Sequence, residues 1–480
     1  MSKKYITTPI YYINDVPHIG HAYTTIAADV LSRYYRSKGD EVFFLTGTDE
    51  HGAKIAEAAK KAGKEPKEFV DGLVPVFKNA WAKLNIEYSE YFRTTDPEHE
   101  KIVQEIVSKL RDKGLVEKKK YEGLYCIGCE KYLKPEELVD GKCSDHKTEP
   151  VKQSEENYFF KLSNFGDQIL NKINSGEFEV GPDSRKNEVL GKIKQGLEDV
   201  SISRAAVEWG IKFPGDESQT IYVWVDALLN YYTATKIFKK EGFWPADLHL
   251  MAKDILWFHA IIWPAILLAL DLPLPKKVFA HGFFTVENQK MSKSLGNVLD
   301  PIALCDKYGA DAVRYAVLRE FPFGEDGDIS EEKIASRYEK DLANGLGNLL
   351  NRTLNMINKY EIKPDRKLAY FDELEDAESE DLPQAQLLLD THLPVLKFDQ
   401  ALTDIWKLIH EKNVFIDEKK PWELAKTGEK VELERVLNAV YWQMFKIADL
   451  IMPFMPQTSE KIKAQLESLK PEVLFPRIEN

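Results

Sequence analysis

The sequence predicts an α/β protein whose doubly wound parallel sheet is split by an insertion and followed by an all-α helical bundle. Strand-like and helical segments alternate over residues 1–115 and again over 216–325, and such alternation is typical of parallel sheets. Residues 116–215 begin with a change in composition, and residues 326–480 show mainly amphipathic helical patterns. We therefore predict two half-domains of one sheet, an insertion between them and a C-terminal helical domain.

Bulk composition narrows the class of protein. The 480 residues carry 65 Lys and Arg against 78 Asp and Glu, a formal net charge of −13, and 44% are hydrophobic. No global basic field therefore draws the chain to nucleic acid, although a large enzyme can keep a local basic groove. The start of the chain lacks the apolar core of a signal peptide, and its longest apolar run, Ala260–Leu270, is too short for a membrane span. A cytoplasmic protein is expected.

The first half of the sheet begins with a βαβ unit. Tyr5–Tyr12 and Val42–Leu45 are strand-like, and Ile19–Lys38 between them carries apolar residues at helical spacing. This is the pattern of a Rossmann-type sheet, which binds ligands at the carboxyl ends of its strands. The turn Thr46–Gly52 directly follows the second strand, so a ligand-contacting turn is predicted, with an ordinary glycine-containing turn as the alternative.

Two histidines mark the start of the first helix. His18 and His21 lie one turn apart at its predicted N-terminus, with Gly20 between them and Pro17 in the first turn. Free N–H groups, the positive end of the helix dipole and two imidazoles together predict a phosphate-binding site. Two polar residues on a capped helix turn would be the simpler explanation of this motif alone.

A lysine-containing loop far downstream adds to the phosphate prediction. It places the ammonium groups of Lys290 and Lys293 beside the hydroxyls of Ser292 and Ser294. Lysine binds phosphate as a point charge, which suits a loop that closes over a triphosphate. A solvated loop would explain the lysines and serines alone, but both motifs, each beside a strand-like segment, are rarely combined by chance.

The insertion carries a predicted metal site. Cys126 and Cys129 form a C-x2-C pair, and Cys143 and His146 form a C-x2-H pair further along. Three thiolates and one imidazole make a closed tetrahedral ligand set of the kind that holds structural Zn²⁺. We expect one zinc ion per chain, with unrelated buried cysteines as the alternative, and we expect Cys305 to be a core residue.

The second half of the sheet begins with a strand over residues 220–226 and continues through a strand-to-helix junction at 249–255. A helix is predicted after the first of these strands. Four residues lie on one face of this helix or at its start: Trp224, Ala227, Leu228 and Tyr231. The aromatic residues that follow the second junction are predicted to be core residues: Trp257, Phe258 and Trp263.

These motifs together resemble the methionyl-tRNA synthetase family of class I aminoacyl-tRNA synthetases, from about Tyr5 to about Leu466. The resemblance implies that the chain activates methionine with ATP to methionyl-adenylate, releasing pyrophosphate. It further implies transfer of the methionyl group to the 3′-terminal adenosine of tRNA(Met), including the initiator tRNA. It assigns the insertion to the family's zinc-bearing connective segment and the helical bundle to anticodon binding.

The resemblance also implies the residues of each site. The catalytic residues would be His18, His21, Lys290 and Lys293, with Mg²⁺ bridging the phosphates. ATP would be bound by His18, Gly20, His21, Lys253, Asp254, Lys290, Ser292 and Lys293. Methionine would be bound by Ile10, Tyr12, Asp49, Trp224, Ala227, Leu228, Tyr231, Ile255 and His259, with Asp49 taking the α-amino group. The zinc ligands would be Cys126, Cys129, Cys143 and His146, and the anticodon would be read by Asn348, Arg352 and Trp422.

Some features leave alternatives open. Ala252 stands where the family usually has glycine, which puts the local nucleotide contact in doubt. Other candidates are another class I synthetase such as the cysteinyl enzyme, a small nucleotidyltransferase, and a catalytically silent tRNA-binding protein. A small nucleotidyltransferase has no use for the bundle, and the intact histidines and lysines argue against a silent protein. Because no dimerising module follows the bundle, a monomer is expected.

Overall fold

The computed structural model describes residues 2–126, 131–133, 138–144, 147–286, 289–290, 298–368 and 381–478. Within these ranges, the side chains of residues 121, 131–132, 153–155, 289–290, 368 and 381–386 lie outside the description. The chain forms two compact units: Met1–Pro17, Asp40–Asn79 and Tyr88–His281 make the first, and His18–Gly39, Ala80–Glu87 and Gly282–Asn480 make the second. Over the described ranges, no helix has the length and apolar character needed to cross a membrane.

A parallel sheet forms the centre of the first unit. Its strands are β1 (Lys3–Tyr12), β2 (Glu41–Asp49), β3 (Glu90–Arg93), β9 (Glu179–Gly181), β14 (Leu248–Ala252) and β15 (Lys277–His281). Their order across the sheet is β3-β2-β1-β14-β15-β9, and neighbouring strands are parallel. The order reverses between β1 and β14, which is where sheets of this kind bind ligands. The predicted α/β class with a parallel sheet is confirmed.

The edge strand of this sheet was not predicted. β9 comes from the middle of the 116–215 segment, yet Val180 in β9 is aligned with Val278 in β15. A strand of three residues is too short to show an alternating pattern, so its pairing could not be predicted from the sequence. The segment between the two halves of the sheet therefore also contributes to the sheet.

β1 contains an irregularity that redirects its last residues. Thr7 is aligned with Leu45, whereas Ile10 is aligned with Gly47, so β1 holds one more residue than β2 between these pairs. Pro9 lies in this interval, and a bulge tolerates a residue that has no N–H to donate. A Cβ atom on Gly47 would lie 2.1 Å from a carbonyl oxygen of β3, so the close approach of β2 and β3 requires glycine at this position.

Antiparallel strands follow where the composition changes at residue 116. They are β4 (Val116–Cys126), β5 (Lys131–Leu133), β6 (Leu138–Val139), β7 (Lys142–Cys143), β8 (Val151–Phe160), β10 (Val200–Ser201), β11 (Ser203–Arg204), β12 (Lys212–Phe213) and β13 (Asp216–Ile221). The strand orders are β10-β8-β4-β5 and β11-β13-β12, with β6 and β7 as a separate pair. The change from parallel to antiparallel pairing agrees with a separate structural element in this region.

Helices lie between the strands of the first unit along the chain. They are α2 (Ala53–Lys61), α3 (Pro66–Lys83), which continues into the second unit, α4 (Pro97–Asp112), α5 (Gly166–Ser175), α6 (Asp183–Lys194), α7 (Val223–Ile237) and α8 (Trp263–Ala269). The apolar core contains β1, α4, α7 and α8 residues, including fully buried Trp263. The Tyr5 hydroxyl donates to the Tyr231 carbonyl oxygen at 2.7 Å, which fixes α7 against β1.

The second unit is mostly helical. It contains α1 (Ile19–Ser37), α9 (Pro301–Tyr308), α10 (Ala310–Arg319), α11 (Glu331–Arg337), α12 (Asn348–Lys359), α13 (Asp381–His392), α14 (Phe398–Lys419), α15 (Pro421–Thr427), α16 (Lys430–Ile451) and α17 (Pro456–Ser468). Short strands β16 (Phe284–Val286), β17 (Gln289–Lys290) and β18 (Gly327–Asp328) pair with one another. The predicted helical C-terminal region is confirmed. Five leucines that recur at helical spacing in the sequence are buried here: Leu342, Leu346, Leu349, Leu350 and Leu354.

Candidate active site

Pocket residues implied by the resemblance meet at the carboxyl ends of the central strands. Tyr12 ends β1 and is aligned with Asp49, which ends β2. Ile10 is buried in the core cluster that also contains three α7 residues of the predicted pocket: Ala227, Leu228 and Tyr231. Partly buried residues pack against the same cluster: Tyr12, Trp224 and Ile255. The fold therefore places residues from segments far apart in the sequence in, or packed against, one apolar core cluster.

A neutral polar pair lies among these predicted pocket residues. His259 Nδ1 donates to the Ile255 carbonyl oxygen at 2.9 Å, because a carbonyl can only accept. His259 Nε2 then accepts from the Tyr231 hydroxyl at 2.8 Å. Burial lowers the pKa of His259 to about 4 and raises the pKa of Tyr231 above its usual value. Both side chains are consequently uncharged near neutral pH, which suits an uncharged, polarisable ligand group.

An additional aromatic residue packs on one of the predicted pocket residues. The ring of Phe258 stacks on Trp224 with 3.9 Å between centroids and 6° between planes, while Trp224 meets His259 edge-on at 6.4 Å. Phe258 is half-buried, so the prediction of a plain core residue missed its contact with Trp224. The available signal was its position next to His259 in the sequence.

The nucleotide candidates Lys253 and Asp254 follow β14 directly. They begin a short 3₁₀ turn, Lys253–Ile255, at the carboxyl end of that strand. Ala252 before this turn has φ −80° and ψ 156°, a conformation that any L-residue adopts without strain. The backbone at this position therefore has no need for the glycine that the family usually has.

The two histidines cap α1 reciprocally. The Gly20 N–H donates to His18 Nδ1 at 3.1 Å, and the His18 N–H donates to His21 Nδ1 at 3.2 Å, with the rings stacked 3.8 Å apart. Because each Nδ1 accepts, each neutral ring carries its proton on Nε2, where it can be donated to a phosphate. This tautomer follows from the hydrogen bonds of both rings.

The expectation of free N–H groups in the first turn was wrong. Ile19 N–H donates to the Leu299 carbonyl oxygen at 3.1 Å and His21 N–H donates to the His18 carbonyl oxygen at 3.0 Å, in addition to the Gly20 bond. Pro17 also precedes the N-cap residue His18 instead of lying in the first turn. Backbone carbonyl oxygens and the His18 imidazole already bind these three N–H groups, so phosphate contacts would come from the imidazoles.

The lysine-containing loop is described only at its start. The backbone of Lys290 lies in β17 and is aligned with Thr285 in β16. Ser292 and Lys293 lie outside the described residues. Leu299, which follows the loop, accepts the Ile19 N–H bond, so the end of the loop is attached to the N-terminus of α1.

Two of the predicted zinc ligands come together. Cys126 and Cys143 are each 1% exposed and share a small apolar cluster with Leu133 and Leu138. Cys129 and His146 lie outside the described residues, and among the residues that are described no metal-binding group of three or more ligands occurs. The buried thiols fit half of a closed tetrahedral set, and the zinc site itself stays a prediction.

The anticodon candidates occupy α12 and α15. Asn348 is exposed at the start of α12, and Trp422 is half-buried in the first turn of α15. The Arg352 guanidinium donates to Asp417 near the end of α14 at 2.6 Å. Lys420, at φ 45° in the left-handed region, joins α14 to α15. Anticodon reading by these residues stays a prediction.

Comparisons with known proteins show the family of this chain. The profile of the family described as tRNA synthetases class I (M) matches residues 4–144 and 126–354. Methionine--tRNA ligase of Caldanaerobacter subterraneus subsp. tengcongensis is 47% identical across 99% of this chain and 79% of the relative. Methionine--tRNA ligase of Thermotoga maritima is 46% identical across 96% of this chain and 74% of the relative.

A solved structure is similar over the whole length. Mycobacterium tuberculosis methionyl-tRNA synthetase in complex with methionyl-adenylate superposes with a TM-score of 0.90 at 36% identity, covering 99% of this chain and 100% of that chain. The similarity in sequence and in structure thus covers nearly the whole chain. The chain therefore belongs to the methionine-specific family of class I tRNA synthetases.

Proposed function

We propose that this chain is a methionine–tRNA ligase that works at the carboxyl ends of β1, β2 and β14. The observation that carries the proposal is the uncharged Tyr231–His259 pair beside apolar and aromatic residues of one core cluster, which we take to form an apolar slot for the substrate side chain. Such a slot favours an unbranched thioether over a charged or strongly polar side chain. The relatives named Methionine--tRNA ligase and the neighbour bound to methionyl-adenylate support the same substrate.

The reaction has two steps. A carboxylate oxygen of methionine bonds to the α-phosphorus of ATP while the bond from that phosphorus to pyrophosphate breaks. A ribose hydroxyl of the 3′-terminal adenosine of tRNA(Met) then attacks the methionyl carbonyl carbon, and AMP leaves. No covalent enzyme intermediate is required, so the chain contributes by positioning the reactants and stabilising charge.

The amino acid is held by residues around the slot. Asp49 takes the α-ammonium group, since it ends β2 beside Tyr12 at the edge where ligands of a parallel sheet bind. The side chain enters the apolar slot along residues from β1, α7 and the turn after β14: Ile10, Tyr12, Trp224, Ala227, Leu228, Tyr231, Ile255 and His259. The half-buried Trp224 closes the slot with its stacked partner Phe258.

The phosphates are held by basic and donor groups. The Nε2–H groups of His18 and His21 donate to phosphate oxygens as charge develops. Lys290, Ser292 and Lys293 stabilise the departing pyrophosphate, which carries the Mg²⁺ that accompanies ATP. Lys253 and Asp254 hold phosphate and ribose, respectively, and Gly20 leaves space beside the motif for the nucleotide.

The remaining parts serve tRNA and stability. Residues 1–115, 116–215, 216–325 and 326–480 stay the proposed domain ranges, and in this proposal residues 326–480 read the CAU anticodon through Asn348, Arg352 and Trp422. Cys126, Cys129, Cys143 and His146 would hold one structural zinc ion, which leaves no open coordination position for catalysis. The cytoplasm, where ATP and tRNA are available, is the proposed location, and both initiator and elongator tRNA(Met) are proposed substrates.

Exchange of labelled pyrophosphate into ATP, measured with each of the twenty amino acids, tests the substrate. Methionine alone should support rapid exchange, and tRNA(Met) should then be aminoacylated. Exchange with another amino acid at an equal rate, or none with methionine, would reject the proposal. Metal analysis of the same preparation should give about one zinc ion per chain, and a protein without zinc after zinc-replete expression would reject the four-ligand assignment.

A further inference from the structure

A buried carboxylate in α7 holds two imidazoles. Asp226 Oδ2 accepts from His51 Nδ1 at 2.7 Å, and Asp226 Oδ1 accepts from His99 Nε2 at 2.7 Å. All three side chains are buried, with 3% exposure for His51, 1% for Asp226 and none for His99. His99 Nδ1 also lies 2.8 Å from the Thr233 hydroxyl. These contacts join the segment after β2, the first turn of α4 and the first turns of α7.

Two of these elements also carry residues of the proposed amino-acid pocket. His51 lies two residues after Asp49, which takes the ammonium group in the proposed function. Asp226 lies between Trp224 and Ala227, which form the wall for the side chain. The His51–Asp226 bond therefore connects the group that holds the substrate ammonium to the wall that holds the thioether.

The charges around His51 favour its cationic form. Asp226 and Asp49 face it, and Glu100 of α4 places Oε1 3.6 Å from His51 Nε2. Although burial alone would lower the pKa of His51, these carboxylates raise it to about 10. A buried ion pair is retained at a considerable desolvation cost, and a hydrogen-bonded one fixes geometry more tightly than an apolar contact would.

Trp209 contacts the segment of residues 49–52 as well, and no sequence pattern predicts a role for this tryptophan. Trp209 Nε1 donates to the Glu50 carbonyl oxygen at 2.6 Å, and Gly52 N–H donates to the Trp209 carbonyl oxygen at 3.0 Å. The indole also meets the His51 ring edge-on, with 5.3 Å between centroids. Residues 49–52 are thus fixed from two directions, and the charged attachment to α7 is made by His51.

We propose that His51 is a positioning residue for recognition of the substrate α-ammonium group, because its ion pair with Asp226 sets the position of Asp49 relative to α7. His51 acts through Asp49, so the inference rests on the proposed function of that residue. The ligand chemistry is an α-amino acid with an uncharged side chain. Loss of the ion pair should weaken the ammonium contact more than the contacts of the thioether.

The test compares two ligands that differ in the ammonium group. Dissociation constants are measured by equilibrium dialysis for labelled methionine and by competition for 4-(methylthio)butanoate, which lacks the amino group. The ratio of these constants reports the ammonium contact and does not depend on the fraction of protein that is folded. In the unaltered protein the ratio should be at least about tenfold, since a hydrogen-bonded charge pair is lost in the analogue.

His51→Gln should lower this ratio by roughly three- to tenfold through misplacement of Asp49, while affinity for the analogue changes less than about twofold. Asp226→Asn should lower the ratio similarly, and the double variant should lower it no further, because both changes break the same bond. His392→Gln is the matched control, because His392 Nε2 pairs with Asp404 at 2.9 Å in the helical second unit. The ratio of the two dissociation constants should stay unaltered in this variant.

Three outcomes would decide against the inference: an unaltered ratio in His51→Gln, equal weakening of both ligands, or additive effects in the double variant. Asp49→Asn separates this failure from failure of the proposed function. If Asp49 holds the ammonium group, that variant removes most of the ratio whatever His51 does. If Asp49→Asn leaves the ratio intact, the assignment of Asp49 is wrong and the inference about His51 fails with it.

Discussion

Two polar side chains of the proposed amino-acid pocket, Tyr231 and His259, stay uncharged because both are buried. Each side chain donates one hydrogen bond to a defined acceptor. The Tyr231 hydroxyl donates to His259 Nε2, and His259 Nδ1 donates to the Ile255 carbonyl oxygen. A charged group here would favour charged ligands, whereas the neutral pair leaves selection to shape and to contacts with a polarisable atom. In the proposed pocket, selectivity for an apolar side chain would therefore depend on the lowered pKa of His259.

This depressed pKa predicts acid sensitivity of folding. His259 has a pKa of about 4 in the folded protein and about 6.5 when unfolded. Between these values the unfolded chain binds a proton that the folded chain does not, so stability falls as pH falls from about 6.5 towards 4. Urea unfolding of the unaltered protein and of His259→Gln, at about pH 7 and pH 5, tests this. Between these pH values the free energy of unfolding should fall by roughly 1–2 kcal/mol less in the variant than in the unaltered protein. Identical pH dependence would contradict a neutral buried His259.

The proposed role of Lys293 leads to a prediction about the rate of adenylate formation. An ammonium group that stabilises departing pyrophosphate acts mainly in the transition state, so its removal lowers kcat more than substrate affinity. Lys293→Ala should leave methionine binding nearly unaltered and should raise the barrier to adenylate formation by roughly 2–4 kcal/mol. Rapid-quench measurement of adenylate formation gives the rate. Lys307→Ala is the control, since that exposed lysine pairs with Glu331 on the surface; equal rates in both variants would remove Lys293 from the mechanism.

At the scale of elements, sequence patterns predict the parts that depend on local periodicity. The strand predicted over Tyr5–Tyr12 is observed as Lys3–Tyr12, and the helix predicted over Ile19–Lys38 is observed as Ile19–Ser37. Both could be predicted because their apolar residues follow a regular pattern along the whole element. The parallel sheet follows from their alternation. The pocket residues could be named only through the family resemblance, since no local pattern brings β1 and α7 together.

What could not be predicted depends on contacts between distant segments. β9 is too short for a pattern and is held in the sheet by β15. The reciprocal cap of His18 and His21 replaces free N–H groups because imidazole Nδ1 atoms reach the first-turn N–H groups. The Asp226 network joins residues more than a hundred positions apart. In each case the sequence shows the residue types but not the partner.

A buried arginine in the second unit connects several elements. The Arg314 guanidinium in α10 pairs with Asp29 of α1 at 2.7 Å. It also donates to carbonyl oxygens of Phe454 at 2.7 Å, Pro453 at 3.0 Å and Leu84 at 3.2 Å. Because its side chain has no exposed surface, removing the charge leaves buried acceptors without donors.

Arg314→Met should therefore lower the free energy of unfolding by about 3–5 kcal/mol. Arg352→Met is the matched control, because its guanidinium also contacts an aspartate at 2.6 Å but that partner is 62% exposed. An exposed pair of this kind contributes less than about 1 kcal/mol. Denaturant unfolding of both variants gives the comparison, and a small loss in Arg314→Met would mean that water replaces the missing donors.

At the scale of the whole molecule, the proposed function divides two tasks between distant parts of the sequence. Residues of β1, β2, α7 and the turn after β14 hold methionine, whereas the anticodon candidates lie on α12 and α15. Adenylate formation requires only the first group, and transfer to tRNA requires both. A substitution in the bundle that spares folding should thus separate the two reactions.

Trp422 is the most informative position for this separation. It follows Pro421 at the start of α15 and is half-buried, so one part of its indole is open to solvent. Such an aromatic surface can stack on an unpaired base, and loss of one stack costs about 1–3 kcal/mol. Trp422→Ala should therefore reduce aminoacylation of tRNA(Met) roughly ten- to a hundredfold, while methionine-dependent pyrophosphate exchange and the melting temperature stay close to normal.

Trp406 supplies the contrast within the same bundle. Its ring packs 4.1 Å from Tyr315, and its Nε1 donates to the Asp341 carbonyl oxygen at 3.1 Å, so its truncation should cost about 3–5 kcal/mol of stability. Trp406→Ala should lower the melting temperature and reduce both reactions as the bundle loosens. If Trp422→Ala behaves in the same way, with equal loss of exchange and aminoacylation, then Trp422 supports the fold and the anticodon must be read by other residues.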